Sequence, residues 1–192
     1  MPKSKADDFP DALRAFRFHG VDSLHPTGSR ADSQWLATCP WCDKPKFYAD
    51  PKEGTWECKA CGKKGNPKTF LRQLWEESDR ATKDTDALAA ERKLLRPETP
   101  AVWGVVKSFV TGEWLVPAYG AGGKLDQLYA YRAGPGGKKL LLASPGFPQA
   151  VFRPDGFDPR AAGLYVCEGP WDAMALWETL GAAKEIDGRL VP

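Results

Sequence analysis

The spacing of apolar and polar residues predicts a chain built mainly from short strands. Apolar residues alternate with polar ones at residues 34–38, 46–49 and 54–57, the pattern of half-buried strands. A second group of strand-like runs begins after Pro100 and is separated by Gly-rich turns. These runs are residues 102–106, 114–119, 125–131 and 139–142, and a last apolar run lies at 163–167.

Helical spacing is confined to a few segments. Pro67 suits the first turn of a helix in which Phe70, Leu71, Leu74 and Trp75 repeat on one face. A second helix is predicted from about Trp171 to Leu180, closed by Gly181, and a short one precedes Phe18.

These elements predict an α+β protein of several small domains. Residues 1–75 form an N-terminal β unit with a packed helix, and residues 76–99 form a charged, partly helical linker. Residues 100–160 form a small, mainly β unit, and residues 161–192 begin a strand–helix unit.

Composition indicates a soluble protein. Hydrophobic residues make up 42% and charged residues 27% of the chain, and no apolar run approaches the roughly 20 residues that cross a bilayer. The polar N-terminus carries no secretion signal, so we expect a cytoplasmic location and no membrane partner.

The cysteine spacing predicts a metal site. Cys39 and Cys42 form one Cys-x-x-Cys pair and Cys58 and Cys61 another, with fifteen residues between the pairs. Four thiolates complete a tetrahedral shell around one zinc ion and leave no position for water, so the metal is expected to be structural. The alternative is that the cysteines are buried or disulfide-linked. This layout is that of a zinc ribbon.

Charge and aromatic residues indicate a nucleic-acid surface on the same unit. The stretch from Cys39 to Arg72 carries eight Lys and Arg against four Asp and Glu. Trp41 and Tyr48 alternate with lysines such as Lys46, and aromatic faces stack on bases while ammonium groups contact phosphates. The alternatives are that the lysines are ordinary solvated surface and that some aromatics form the small core.

Two carboxylates stand near the end of the chain. The predicted strand 163–167 delivers Glu168-Gly169 into the second helix, where Asp172 follows within one turn. Open α/β sheets bind ligands at the carboxyl ends of their strands, which suits metal-assisted chemistry. A Glu-Gly pair is also common in loops, and an acidic residue in a first turn is favoured by the helix dipole alone.

Three motifs in this order resemble bacterial and phage DNA primases. They are the four-cysteine ribbon, the basic Gly-rich β segment and the stretch 166–176, which looks like the first motif of a Toprim domain. Under that resemblance the ribbon holds a single-stranded DNA template, and Glu168, with Asp172 as a possible ligand, acts at a Mg²⁺ or Mn²⁺ site of nucleotidyl transfer from ribonucleoside triphosphates. The residues that would contact template and nucleotide in the basic segment are Lys124, Arg132, Lys138 and Lys139.

The sequence departs from that family in one respect. A Toprim site needs an Asp-x-Asp pair on strands after the Glu-Gly motif, and residues 169–192 contain none. We therefore expect the N-terminal part of a longer primase, with a fused or separate replicative helicase as partner, in the cytoplasm of a bacterial or phage-infected cell. The alternatives are a non-catalytic zinc-ribbon module that binds single-stranded DNA or recruits replication proteins, and a Toprim nuclease or topoisomerase.

Overall fold

The structure is a computed structural model that describes residues 9–30, 33–120, 123–153, 165–180, 184–186 and 189–191. Its contacts divide the chain into two compact units. Unit 1 comprises residues 1–74 with 144–147, and unit 2 comprises residues 75–143 with 148–192. Both contain helices and antiparallel sheets, so the α+β class predicted from the sequence is confirmed. None of the helices in the described segments is long and apolar enough to span a membrane.

Unit 1 contains a five-stranded antiparallel sheet whose strands lie in chain order. Successive side chains along a strand point to opposite faces, so the register separates a core face from an outer face. Ala37, Phe47 and Cys58 are aligned on the core face, whereas Leu36, Tyr48 and Glu57 are aligned on the outer face. The strands are β1 (His25–Pro26), β2 (Trp35–Ala37), β3 (Phe47–Ala49), β4 (Trp56–Cys58) and β5 (Lys64–Gly65).

Two helices cover the core face of this sheet, α1 (Arg14–Phe18) and α2 (Pro67–Ala81), of which residues 67–74 belong to unit 1. Phe16 of α1 packs edge-on against Phe70 of α2, with ring centroids 4.8 Å apart. Phe16 also packs against Phe47 of the sheet at 5.6 Å, and all three rings are fully buried. The predicted helix at Pro67 is confirmed, and it continues past Trp75 to Ala81.

Unit 2 is built on a four-stranded antiparallel sheet, again in chain order. Three of its strands lie where the sequence predicts them, since hydrophobic runs bounded by Gly-rich turns are typical of a meander. A separate two-stranded antiparallel sheet joins two further strands. The strands of unit 2 are β6 (Val106–Lys107), β7 (Trp114–Tyr119), β8 (Leu125–Ala133), β9 (Lys139–Ala143), β10 (Lys184–Ile186) and β11 (Arg189–Val191).

Helices pack on one face of the four-stranded sheet. Val116 and Tyr129, which are register partners, share a core with Leu88, Met174 and Trp177 from the helices. Leu88 and Met174 are fully buried, so α3 and α5 are integral to the unit. The helices are α3 (Asp86–Glu91), α4 (Thr99–Val102) and α5 (Pro170–Thr179).

Two predicted strands are wrong. Residues 102–106 form the end of α4, a turn and only the first residue of β6, because Gly104 has a φ of +71° and reverses the chain direction. Tyr165, Val166 and Cys167 form no strand and pair with no other strand of the described chain, and Val166 is 87% exposed. Gly163 and Leu164 of that predicted strand, and Gly181 after the helix, lie outside the described residues. Residues 76–99, the predicted partly helical linker, include α3 and the buried Leu88 of unit 2.

Candidate metal centre and nucleic-acid interface

The two cysteine pairs sit in loops with the same backbone hydrogen bonds. In the first loop the N–H of Asp43 donates to the carbonyl of Cys39 at 2.9 Å, and the N–H of Cys39 donates to the carbonyl of Lys44 at 2.9 Å. In the second loop Gly62 donates to Cys58 at 2.9 Å, and Cys58 donates to Lys63 at 2.8 Å. Each loop follows a strand, β2 or β4, so antiparallel sheet pairing brings both loops to the same end of the sheet.

The four sulfur atoms are placed as zinc ligands. All four Sγ atoms lie within 4.8 Å of one another. The Sγ atoms of Cys39 and Cys61 are 3.8 Å apart, and those of Cys42 and Cys58 are 3.7 Å apart. Tetrahedral coordination with Zn–S bonds of about 2.3 Å requires sulfur–sulfur distances of about 3.8 Å. The cluster is therefore compatible with one structural zinc ion.

The surroundings of the thiols also suit a metal. Burial raises the pKa of the Cys39 and Cys61 thiols, so without a cation these groups resist ionisation. Burial opposes ionisation of Cys58 as well, but N–H donors from Cys61 and Ala60 outweigh it and lower the pKa of Cys58 to about 7. A divalent cation would compensate the charge of the four thiolates, two of which are buried, and its binding would release protons.

Trp41, predicted to contact nucleic acid, is placed in the aromatic core beneath the metal loops. Its ring stacks on Trp56 at 5.0 Å with 15° between the planes, and it meets the edge of Phe70 at 5.4 Å. Lys63 lies 5.5 Å from the centre of the same ring. The indole is thus held by neighbours and supports the Cys39–Cys42 loop.

Tyr48 and Lys46, the other two predicted contacts of unit 1, are accessible. Tyr48 lies half-buried on the outer face of β3, and Lys46 is exposed immediately before this strand. Tyr48 lines an open depression of about 540 Å³ together with polar and charged side chains. They include Asp50, Glu57, Lys59 and Lys64.

The four basic residues predicted in unit 2 fall into two groups. Lys124 and Lys138 are exposed. Arg132 contacts the Glu113 carboxylate at 2.8 Å, and Lys139 contacts the Glu91 carboxylate at 2.5 Å. The hydrogen bond from Lys139 lowers the pKa of Glu91 and raises that of Lys139 itself. Arg132 and Lys139 therefore form ion pairs with carboxylates that the sequence did not predict as their partners.

The two candidate catalytic carboxylates, Glu168 and Asp172, are both exposed at the start of α5. Among the described residues, the four cysteines are the only group of three or more His, Cys, Asp or Glu side chains whose ligand atoms lie close enough to share a metal ion, and no carboxylates form such a group. Sites that hold two catalytic metal ions use more ligands than two carboxylates supply. Among the described residues no further carboxylate is grouped with Glu168 and Asp172, so no reaction step is assigned to a Mg²⁺ or Mn²⁺ site.

A third carboxylate on α5, Glu178, has a structural position that sequence reasoning missed. It is 6% exposed and accepts hydrogen bonds from the N–H groups of Leu95 and Arg96 at 2.7 and 3.0 Å and from the Thr99 hydroxyl. Thr99 begins α4, and Leu95 and Arg96 precede it, so the carboxylate joins α5 to α4 and to the segment before α4. Its partners lie about eighty residues away along the sequence, so no local sequence pattern could have predicted them.

Neither a model of a known protein family nor a curated protein sequence matches the chain.

Proposed function

We propose that the chain binds single-stranded DNA on the outer face of a zinc-stabilised sheet, a zinc ribbon, as the template-recognising part of a DNA primase. The observation that carries the proposal is the position of Tyr48. Its ring lies on the face of β3 opposite the buried Phe47, while the cysteine cluster fixes the loops at one end of the same strands.

The outer face has the two components that unpaired strands require. An aromatic ring stacks on a base whatever its sequence, and nearby ammonium groups neutralise phosphates. Lys46 and Lys64 are exposed beside Tyr48, and Lys59 is exposed but paired with Glu57 at 2.6 Å. The depression next to Tyr48 gives room for a base to lie against the ring.

Fluorescence anisotropy with a labelled single-stranded oligonucleotide tests this surface. Tyr48→Ala should weaken binding about tenfold, because one base–aromatic stack is lost. Lys64→Ala should lower the slope of log affinity against log salt by about 0.7, the value for one phosphate contact on a single strand. Tyr165→Ala is the matched control, since this tyrosine of unit 2 is 69% exposed. Equal affinities of the Tyr48 and Tyr165 variants would refute the proposal.

The primase assignment adds primer synthesis to template binding. It gives Glu168 a role at a Mg²⁺ or Mn²⁺ site, ribonucleoside triphosphates as substrates and a replicative helicase as partner. Support comes from the order of the three sequence motifs. Primer synthesis on single-stranded DNA that is abolished by Glu168→Gln would favour it.

A second candidate is a module that binds single-stranded DNA without polymerising. The exposure of Glu168 and Asp172, with no grouped carboxylates among the residues described, favours it. Oligonucleotide binding that depends on Tyr48, without ribonucleotide incorporation, would select this candidate over the enzyme.

A further inference from the structure

We propose that Lys139, Tyr131 and Arg92 form a phosphate-binding site on unit 2, and that the Glu91 carboxylate occupies this site in the structure. The site is separate from the Tyr48 surface. The inference rests on the proposed function only in taking the ligand to be a phosphate of a nucleic-acid strand or of a nucleotide.

Glu91 bridges two donors of the site as a phosphate group would. Its Oε2 accepts from the ammonium group of Lys139 at 2.5 Å, and its Oε1 accepts from the hydroxyl of Tyr131 at 2.7 Å. Carboxylates and phosphates both offer several anionic oxygens to such donors, and both form shortened, charge-assisted hydrogen bonds. Three elements supply the donors and their occupant: Glu91 ends α3, Tyr131 lies on β8 and Lys139 begins β9.

Arg92 adds an N–H donor, Nε, that has no acceptor among the described residues. Its guanidinium lies 4.9 Å from the ring centre of Trp171 and 5.7 Å from that of Tyr131, and Nη1 donates to the Tyr131 hydroxyl at 3.3 Å. Its Nε atom is buried and has no hydrogen-bond partner in the described part of the chain. An unsatisfied buried donor is costly, and a guanidinium suits two phosphate oxygens at once, so this group points to an oxyanion ligand.

The bond between Glu91 and Lys139 is one that a ligand can exchange. The two side chains are 35% and 44% exposed, and ion pairs at this exposure contribute little to stability. Glu91 stands at the end of a helix of six residues, where its side chain can turn into solvent. Its departure leaves Arg92 and Lys139 as two cations without their carboxylate, which favours a polyanion.

The alternative is that the cluster only fastens α3 to the sheet. That alternative predicts no change in phosphate binding when Glu91 is replaced. The proposal predicts that removing the carboxylate raises affinity, because the ligand no longer competes with it.

The test uses the full chain and a fluorescent strand of abasic phosphodiester units, which cannot stack on Tyr48. Glu91→Gln keeps the shape of the side chain and an oxygen for Tyr131 but removes the charge. It should bind this strand about two- to fivefold more tightly than the wild type, the range expected for loss of an exposed ion pair. Lys139→Ala added to Glu91→Gln should abolish the gain and lower the salt slope by about 0.7.

Glu98→Gln is the matched control, because Glu98 is exposed in unit 2 and the change alters net charge equally. A parallel titration with ATP distinguishes nucleotide phosphates from strand phosphates, and a gain with either ligand supports the site. Equal affinities of the Glu91 and Glu98 variants for both ligands would overturn the proposal.

Arg92→Lys, which keeps the charge but lacks Nε, is a second test. An unchanged affinity when this change is added to Glu91→Gln would also overturn the proposal. If Tyr48→Ala did not weaken binding of ordinary oligonucleotides, the proposed function would be refuted. The result with the abasic strand would still decide whether the phosphate site exists.

Discussion

Asp43, Gly54 and Gly62 occupy the same position in three loops of unit 1. Each donates its N–H to the carbonyl of the residue four positions before it, and each has a positive φ, of 55°, 69° and 75° respectively. This backbone region is unfavourable for residues with a Cβ and least so for Asp and Asn. The backbone of the metal loops therefore selects small or Asx residues behind each cysteine pair, independently of zinc.

The two glycines allow backbone strain to be separated from packing. Gly62→Ala should cost about 1 kcal/mol of unfolding free energy, from the left-handed backbone alone, because a Cβ there would meet nothing within 4 Å. Gly54→Ala should cost about 1 to 3 kcal/mol more, because its Cβ would lie 2.7 Å from the carbonyl oxygen of Ala12 and 2.8 Å from Cγ of Pro67. Chemical denaturation of the zinc-loaded protein measures both values. Equal costs would contradict this account of Gly54.

The Glu91 carboxylate should make stability depend on acid pH. Its hydrogen bond from Lys139 lowers the pKa of Glu91 in the folded state. The resulting stabilisation is present above the unfolded-state pKa of about 4.3 and is lost as the pH falls through the lower folded-state value. We expect the melting temperature of the wild type to exceed that of Glu91→Gln at pH 7, with the difference shrinking in acid and vanishing once the carboxyl is protonated in the folded state as well. A difference that persists or grows in acid would exclude this ion pair as its source.

At the scale of elements, the spacing of apolar residues predicted most of the helices and strands that the structure contains. The strands at residues 47–49, 114–119 and 139–143 and the helices at 67–81 and 170–179 lie where the residue patterns predicted them, and all but the strand at 139–143 contain buried residues. The run 102–106 misled because Trp103 and Val105 are buried without being in a strand. An apolar run therefore predicts burial but not strand structure, and here the positive φ of Gly104 places a turn in the middle of the run.

The candidate sites were predictable to different degrees for the same reason. The cysteine cluster follows from short spacing, and its four ligands lie together as expected. The partners of Lys139 and Arg132 come from distant or unpatterned positions, Glu91 in an apparent linker and Glu113 beyond a turn. Charge counts along the chain therefore identified basic segments but could not show which cations are paired.

Glu178 should fix the position of α5 within unit 2. Glu178→Ala leaves the part-buried N–H groups of Leu95 and Arg96 and the buried Thr99 hydroxyl without their acceptor, which we expect to cost about 2 to 4 kcal/mol of unfolding free energy. Asp172→Asn, an exposed change on the same helix, should cost less than about 1 kcal/mol. Urea denaturation followed by tryptophan fluorescence measures both variants. Similar costs would show that the three hydrogen bonds contribute no net stability.

On the scale of the whole molecule, a net charge of +2 conceals how the charges are used. In unit 1, Lys46 and Lys64 remain exposed beside Tyr48. In unit 2, Arg132 and Lys139 are neutralised by carboxylates while Lys124 and Lys138 are exposed. Sequence-independent attraction to phosphate should therefore be moderate, and the stacking ring and the exchange at Glu91 become more important for affinity than total charge.

The two units should respond differently to loss of the metal. Unit 1 has a small core of a few aromatic rings behind the cysteine loops, and structural zinc of this kind supplies much of the folding free energy of such units. Unit 2 has its own core around Leu88, Val116 and Met174, with no contribution from the cysteine cluster.

We expect elemental analysis to find about one zinc per chain. Chelation, or Cys58→Ser, should unfold unit 1 while amide hydrogen exchange in β7 and β8 stays slow. Cys167→Ser, which lies outside the cluster, is the control and should leave zinc content and exchange unchanged. Absence of zinc, or simultaneous loss of protection in both units, would contradict a structural metal confined to unit 1.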